Sequence, residues 1–232
     1  MALSKEFILN VERNTRLQRD CELWWKMREG KITASIFGRI LHCRENGNTM
    51  HNYLYPSKSF SSAATRWGER CEIRAIRHYE RVERVKVQKV GLLLDSQGKL
   101  GASPDGAVPE KKKLIEVKCP YSLRRYGQLR EAISQGRFYI KRDKKGQLYL
   151  DSNHSQGKSI FHQIQGQLAL SDWPESTDLL VWTPTEYCIV NILRNDSWAK
   201  KNIPKLHAVW DKYMNVSFFV SIDNCVFFCF YC

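Results

Sequence analysis

The chain has 232 residues, 43% of them apolar and seven of them tryptophan, enough to bury one substantial core and too apolar for a disordered segment. Its 37 lysines and arginines against 24 aspartates and glutamates give a formal charge of +13, a self-repulsion that points to a polyanionic partner, nucleic acid first. No apolar run at the N-terminus has signal-peptide length, and VSFFVSIDNCVFFCFYC is interrupted by Asp223 and Asn224, so neither secretion nor a membrane span is expected. An intracellular protein, nuclear or cytoplasmic, with reduced thiols follows as the expectation.

There is no internal repeat and no long Pro/Gly/Ser linker, so one domain is expected over 1–215, followed by an apolar, cysteine-rich tail at 216–232. Most of the eight cysteines sit alone in apolar or helical stretches, where Cys acts as a small hydrophobe. Cys225, Cys229 and Cys232 cluster in the tail, but three thiols without a nearby fourth ligand make a poor zinc site.

In chain order, 15–29 reads as a helix, and Ile32-Thr33-Ala34-Ser35 opens a second, with Thr33 or Ser35 able to cap it. The polar stretch 43–62 reads as a loop, and a long helix runs from Ser61 to about Val82. Strands are expected at 89–95 and 99–108, joined by Ser96-Gln97-Gly98, and at 113–120, stopped by Pro120. A helix at 122–136 is followed by a basic, turn-rich stretch to 158 with a short apolar Leu148–Leu150. A helix at 159–172, paired strands at 178–184 and 186–194, and a helix at 196–214 complete the order. The fold class is α/β (α+β): a central mixed sheet flanked by helices, its edge forming a cleft open to DNA.

The strand LIEVKCP carries the chemistry. Alternation puts Glu116 and Lys118 on one face and Ile115, Val117 and Cys119 on the other. Two charges in an otherwise apolar strand are costly unless each meets a partner. In SPDG, Pro104 and Gly106 hold Asp105 at the end of the preceding strand, and the short connection through Pro109 and Lys111–Lys113 brings it near Glu116. Two converging carboxylates are the hard-oxygen arrangement Mg²⁺ needs, and Lys118 beside them can orient water or stabilise charge on phosphorus. The plain alternative is a surface hairpin with a Glu–Lys pair.

SPDG followed by EVKCP resembles the PD-(D/E)xK nuclease superfamily, specifically its YqaJ/lambda-exonuclease-like branch of viral and transposon-associated recombination nucleases. The resemblance extends to WWKMREGKITAS (24–35), RWGERCE (66–72) and HQIQGQL (162–168), in the family's order across roughly residues 15–195. It implies a restriction-endonuclease-like core and a metal-dependent DNA nuclease, an exonuclease digesting one strand of a duplex from its 5′ end. It implies Mg²⁺, with Mn²⁺ as a substitute, held by Asp105, Glu116 and the carbonyl of Val117, with Glu72 across the metal cluster through water or a second ion. Lys118 is then the catalytic lysine, Gln163 positions the water or the carboxylates, and Arg28 and Ser35 bind the terminal phosphate. DNA is the implied partner, and a ring-shaped homotrimer the assembly known in the family. A structure-specific endonuclease and a non-catalytic DNA-binding descendant are the rivals.

Several of these residues have plainer readings. On a helix Glu72 shares an apolar flank with Ala75, Ile76 and Tyr79, with Glu69 one turn away, and either acid can simply pair with a neighbouring arginine. Gln163 and Gln165 fit exposed helical positions, Arg28 fits a stacking role beside Trp24 and Trp25, and Ser35 fits a helix cap. The basic runs Arg137–Lys145 and Lys111–Lys113 suit a DNA backbone or merely solvated loops.

Overall fold

A computed structural model of the chain describes residues 2–43, 47–55 and 62–214; the tail expected at 216–232 lies outside them. In chain order they form α1 (Lys5–Asn14), α2 (Glu22–Arg28), β1 (Ile32–Thr33), α3 (Ala34–His42), α4 (Gly47–Leu54), α5 (Ala63–Glu83), β2 (Leu93–Leu94), β3 (Leu100–Ala102), β4 (Gly106–Val108) and β5 (Lys113–Lys118). Then come α6 (Gln128–Ser134), β6 (Ile140–Arg142), β7 (Leu148–Leu150), α7 (Ser155–Ala169), β8 (Ser176–Trp182), β9 (Tyr187–Leu193) and α8 (Asp196–Tyr213).

The main sheet has the order β4-β5-β8-β9. Its two central strands are parallel, with Glu116 opposite Leu179 and Lys118 opposite Val181, and both outer pairings are antiparallel. All of β8 is buried, as suits a central strand covered on both faces. On one face Cys71, Ala75 and Tyr79 of α5 pack against Ile115, Val117, Leu180 and Trp182. On the other, Ile160, Ile164 and Leu168 of α7 meet Leu114, Leu179 and Val181. The sheet is therefore clamped between α5 and α7, and residues of β5 alternate between the two helices. A further core joins Phe37 of α3, Leu100 of β3 and Leu206 of α8.

The mixed sheet with flanking helices is the expected class; several boundaries differ. The strand expected at 99–108 is two strands in two sheets: β3 belongs to the small sheet β1-β3-β2, and β4 to the main one. The break falls at Ser103-Pro104-Asp105, where Pro104 has no N–H to give a ladder. Only Leu93 and Leu94 of 89–95 are strand. The helix expected at 15–29 is interrupted by a 3-10 turn at Gln18–Asp20, and the one at 122–136 is reduced to Gln128–Ser134 after a 3-10 turn at Tyr121–Leu123. The stretch read as a loop at 43–62 contains α4, the basic stretch 137–158 contains the β6–β7 hairpin, and α1 lies where no element was expected. Ser4 caps α1 by accepting from the N–H of Phe7 at 3.1 Å. Among the described residues no helix is long and apolar enough to cross a membrane, and no disulfide joins the cysteines.

Candidate active site

Asp105 enters the site pinned to β5 at two points. Its N–H donates to the Ile115 carbonyl at 3.1 Å, and its Oδ2 accepts from the Val117 N–H at 2.7 Å. The loop before it is braced from the interrupted N-terminal helix. Gln18 Nε2 donates to the carbonyls of Pro104 (2.8 Å) and Val90 (2.9 Å), and Trp24 Nε1 donates to Ser103 Oγ at 2.9 Å. The 3-10 turn there has a use: it aims Gln18 at the loop carrying Asp105.

Glu116 points to the α7 side of β5 and is 2% exposed. Its Oε1 accepts from Lys118 Nζ at 2.5 Å and from Gln163 Nε2 at 2.7 Å, and its Oε2 accepts from Gln167 Nε2 at 2.6 Å. Gln163 Oε1 also accepts from Lys118 Nζ at 3.2 Å. Glu116, Lys118 and Gln163 thus form one connected cluster, while Ile115 and Val117 face α5 as the alternation requires.

The electrostatics link Glu72 and Asp105 to this cluster. Burial, then the charges of Glu116 and Glu72, push the Asp105 carboxyl well above its ordinary range. Burial also raises Glu72; Arg19 opposes the shift and Glu116 adds to it. Burial works against the charge of Lys118, but Glu116, Asp105 and Glu72 outweigh it and raise its pKa. Glu69, one turn before Glu72, pairs instead with Arg19 and keeps substantial exposure. Three carboxylates therefore share one half-buried lysine. Such a surplus of negative charge and hard oxygen fits a divalent cation. Among the described residues no three Asp, Glu, His or Cys side chains form a ready cage. Mg²⁺ does not require one, since it keeps several waters and takes few protein oxygens.

Arg28 lies over the Trp24 ring at 4.0 Å, the stacking its spacing allows, and no described carboxylate pairs with it. Burial and the neighbouring Arg19 bring its pKa down to about 10. Arg28 and Arg19 thus flank the Glu72 side of the site with positive charge. Ser35 is exposed in the first turn of α3, its Oγ 3.2 Å from Thr33 Oγ1, and it touches none of the acidic residues. Gln165 faces away from the cluster and ties α7 to the end of β9, donating to the Leu193 carbonyl at 2.8 Å and accepting from the Asn195 N–H at 2.9 Å. Lys111, Lys112 and Lys113 pair with Glu83, Glu175 and Asp178 and are structural.

The sequence reading missed Gln167, Gln18 and Arg19. For Gln167 a signal exists, since it follows Gln163 by four residues and must share its helix face. Gln18 and Arg19 are placed by tertiary contacts alone.

Residues 23–173 match the family model of the YqaJ-like viral recombinase domain, a span holding every residue of this cluster. The chain belongs to this family. The alkaline exonuclease LHK-Exo from Laribacter hongkongensis, in complex with dAMP, has the same fold: TM-score 0.65 and 23% identity over 87% of this chain and 97% of that one. A phage-related exonuclease from Haemophilus somnus 129PT gives a TM-score of 0.56 and 14% identity over 82% and 96% of the two chains. A SOX–DNA complex gives 0.58 and 12% over 89% and 70%. No curated protein matches the chain. The chain thus shares its fold with these exonucleases, and its Asp105–Glu116–Lys118 cluster lies at the C-terminal end of the parallel strand pair.

Proposed function

We propose that the protein is a Mg²⁺-dependent deoxyribonuclease, an exonuclease that enters duplex DNA at an end and hydrolyses one strand from its 5′ terminus. The observation that carries this reading is the convergence of Asp105 and Glu116 on Lys118, with the carboxylates in excess of the lysine. Asp105, Glu116 and the Val117 carbonyl would hold the ion, with Glu72 reaching it through water or a second ion. Bound there, the ion supplies Lewis-acid polarisation of the scissile phosphate, and Mn²⁺ is a substitute of the same chemistry.

The residues do the rest. Lys118, held by Glu116 and Gln163, carries a positive charge to the attacking water and to the charge that grows on the phosphate oxygens. Gln163 joins that lysine to Glu116, so the cation at the water site and the carboxylate that would hold the ion are kept in one geometry. Arg28, rigid on Trp24 and without a carboxylate, offers its planar fork to the terminal phosphate, and Ser35 at the start of α3 adds a hydroxyl or backbone donor. The exonucleases of the same fold, and the SOX protein bound to DNA, support this substrate class.

Cleavage of linear and closed-circular duplex by wild type and Lys118→Ala, in Mg²⁺ or EDTA, tests it. Loss of linear DNA alone, dependent on Mg²⁺ and abolished in the variant, is the expected result. Nicking of the circle would make the enzyme an endonuclease. DNA binding without cleavage by folded wild type would make it a binding module.

A further inference from the structure

Helix α5 carries Glu72 on one flank and a row of arginines on another. At 3.6 residues per turn, Arg66, Arg70, Arg74, Arg77 and Arg81 fall within an arc of about 80° and extend over about 22 Å. All five are exposed. Arg70, Arg74 and Arg81 have no Asp or Glu three or four positions away on the helix. The four acids of α5 are engaged elsewhere: Glu69 with Arg19, Glu72 with the acidic cluster, Glu80 with Lys86, and Glu83 with Lys111. Like charges on successive turns destabilise a helix; Arg77 feels Glu80 and Arg74 the Trp182 ring, while no described carboxylate pairs with Arg70 or Arg81.

The C-terminal half of the row borders a cavity of about 660 Å³ whose lining includes Arg74, Arg77, Arg81, Lys86, His78 and Trp182. Its one acid, Glu80, is held by Lys86 at 3.2 Å and by the Val87 N–H at 3.0 Å. The cavity is therefore strongly positive. His78 adds an Nε2 with no partner among the described residues. Arg74 lies 5.4 Å from the Trp182 ring centroid. Trp182 directly follows Val181, the register partner of Lys118, so the arginine row passes the end of the sheet where the acidic cluster sits.

We propose that the arginine row of α5 and the cavity beside it form a second DNA-binding track, holding the phosphate backbone of the duplex outside the catalytic centre. Guanidinium forks match phosphate oxygens in pairs, and a row of about 22 Å covers roughly six base pairs at ~3.4 Å each. The assignment rests on the nuclease reading for its choice of polyanion.

The test is the salt dependence of binding a fluorescent 40-base-pair duplex, read by anisotropy in EDTA, for wild type and Arg74→Gln/Arg77→Gln/Arg81→Gln. Each lost phosphate contact should reduce the slope of log K against log salt by about 0.9, so the triple variant should lose roughly two to three units. Its cleavage rate at saturating DNA should match wild type while KM rises. If the triple variant folds poorly, Arg70→Gln/Arg74→Gln should show a loss of one to two units. A wild-type slope in a folded variant overturns the track and leaves the row to an acidic protein. Wild type that neither binds nor cuts DNA overturns the nuclease reading as well, whereas wild type that cuts, with a slope the variants share, overturns the track alone.

Discussion

Gln167 donates to Oε2 of Glu116 at 2.6 Å, one helical turn after Gln163 donates to Oε1 at 2.7 Å. The two amides grip both oxygens of one carboxylate and fix its plane relative to α7. The arrangement has a cost, since the Gln167 Oε1 is buried without a partner among the described residues. Gln167→Leu removes a charge-assisted bond of about 1.5–3 kcal/mol but also removes that orphaned carbonyl, so a net loss of roughly 1 kcal/mol is expected. Its larger effect falls on the ion: a carboxylate free to turn should raise the Mg²⁺ concentration for half-maximal cleavage severalfold, with the rate at saturating Mg²⁺ nearly kept. Urea unfolding and a Mg²⁺ titration read the two effects separately, and an unchanged Mg²⁺ requirement would show that Gln167 merely packs.

Asp105→Asn should stabilise the metal-free protein. The residue contributes a negative charge to a cluster where Glu116 and Glu72 already repel it, and only Lys118 and the Val117 N–H compensate. Asparagine keeps an oxygen able to accept from the Val117 N–H while removing the charge. A thermal midpoint higher than wild type in EDTA is expected, together with loss of cleavage. Mg²⁺ should raise the wild-type midpoint and leave that of the variant nearly unmoved. A variant less stable than wild type in EDTA would mean that the aspartate is held by more positive charge than Lys118 provides.

Asp105, Glu116 and Lys118 were legible because their relationship is local: two-residue alternation in one strand, and a short connection to the strand before it. Their closing on one point is what β4–β5 pairing enforces, with Gly106 opposite Ile115. Helix α1 was not legible, because it is fixed by distant contacts, among them the Glu12 Oε1 that accepts from the Gly91 N–H at 3.0 Å. The lysine run 111–113 gave no hint of its fate, since its three carboxylate partners come from α5, from the segment before β8 and from β8 itself. The split of 99–108 between two sheets was signalled by Pro104, and β4 pairs with the nearby β5, but the sheet that β3 joins depends on β1, far away in sequence.

The site also depends on how closely α3 approaches α7. A Cβ on Gly166 would lie 2.5 Å from the Phe37 ring, and Phe37 is fully buried and has no room to retreat. Gly166→Ala should therefore cost about 1–3 kcal/mol by overpacking and push α7 off α3. Because Gln163 and Gln167 flank Gly166 on the same helix, cleavage should fall further than the loss of stability explains. The variant Gly166→Ala/Phe37→Leu, which makes room at the same point, should recover much of both. Stability and cleavage rate in the two variants check this, and failure of Phe37→Leu to rescue would separate Gly166 from the helix contact.

His162, the residue before Gln163, predicts how stability responds to acid. Trp198 Nε1 donates to its Nδ1 at 2.8 Å, so its proton resides on Nε2, which lies 2.8 Å from His42 Nε2. Burial, followed by the charges of His42 and Lys158, pushes its pKa from 6.5 down to about 4. The folded state thus binds this proton less readily than the unfolded chain. The resulting stability is complete above about pH 6.5 and is lost as pH falls towards about 4. His162→Asn, whose side-chain oxygen can still accept from Trp198, removes the titration. The difference in unfolding free energy between wild type and variant, measured at intervals from pH 7.5 to 4, should narrow steadily as the wild type loses ground. Parallel curves across that window would mean that His162 takes up its proton in the folded state as readily as in the unfolded one, with the Trp198 and His42 contacts giving way at no cost.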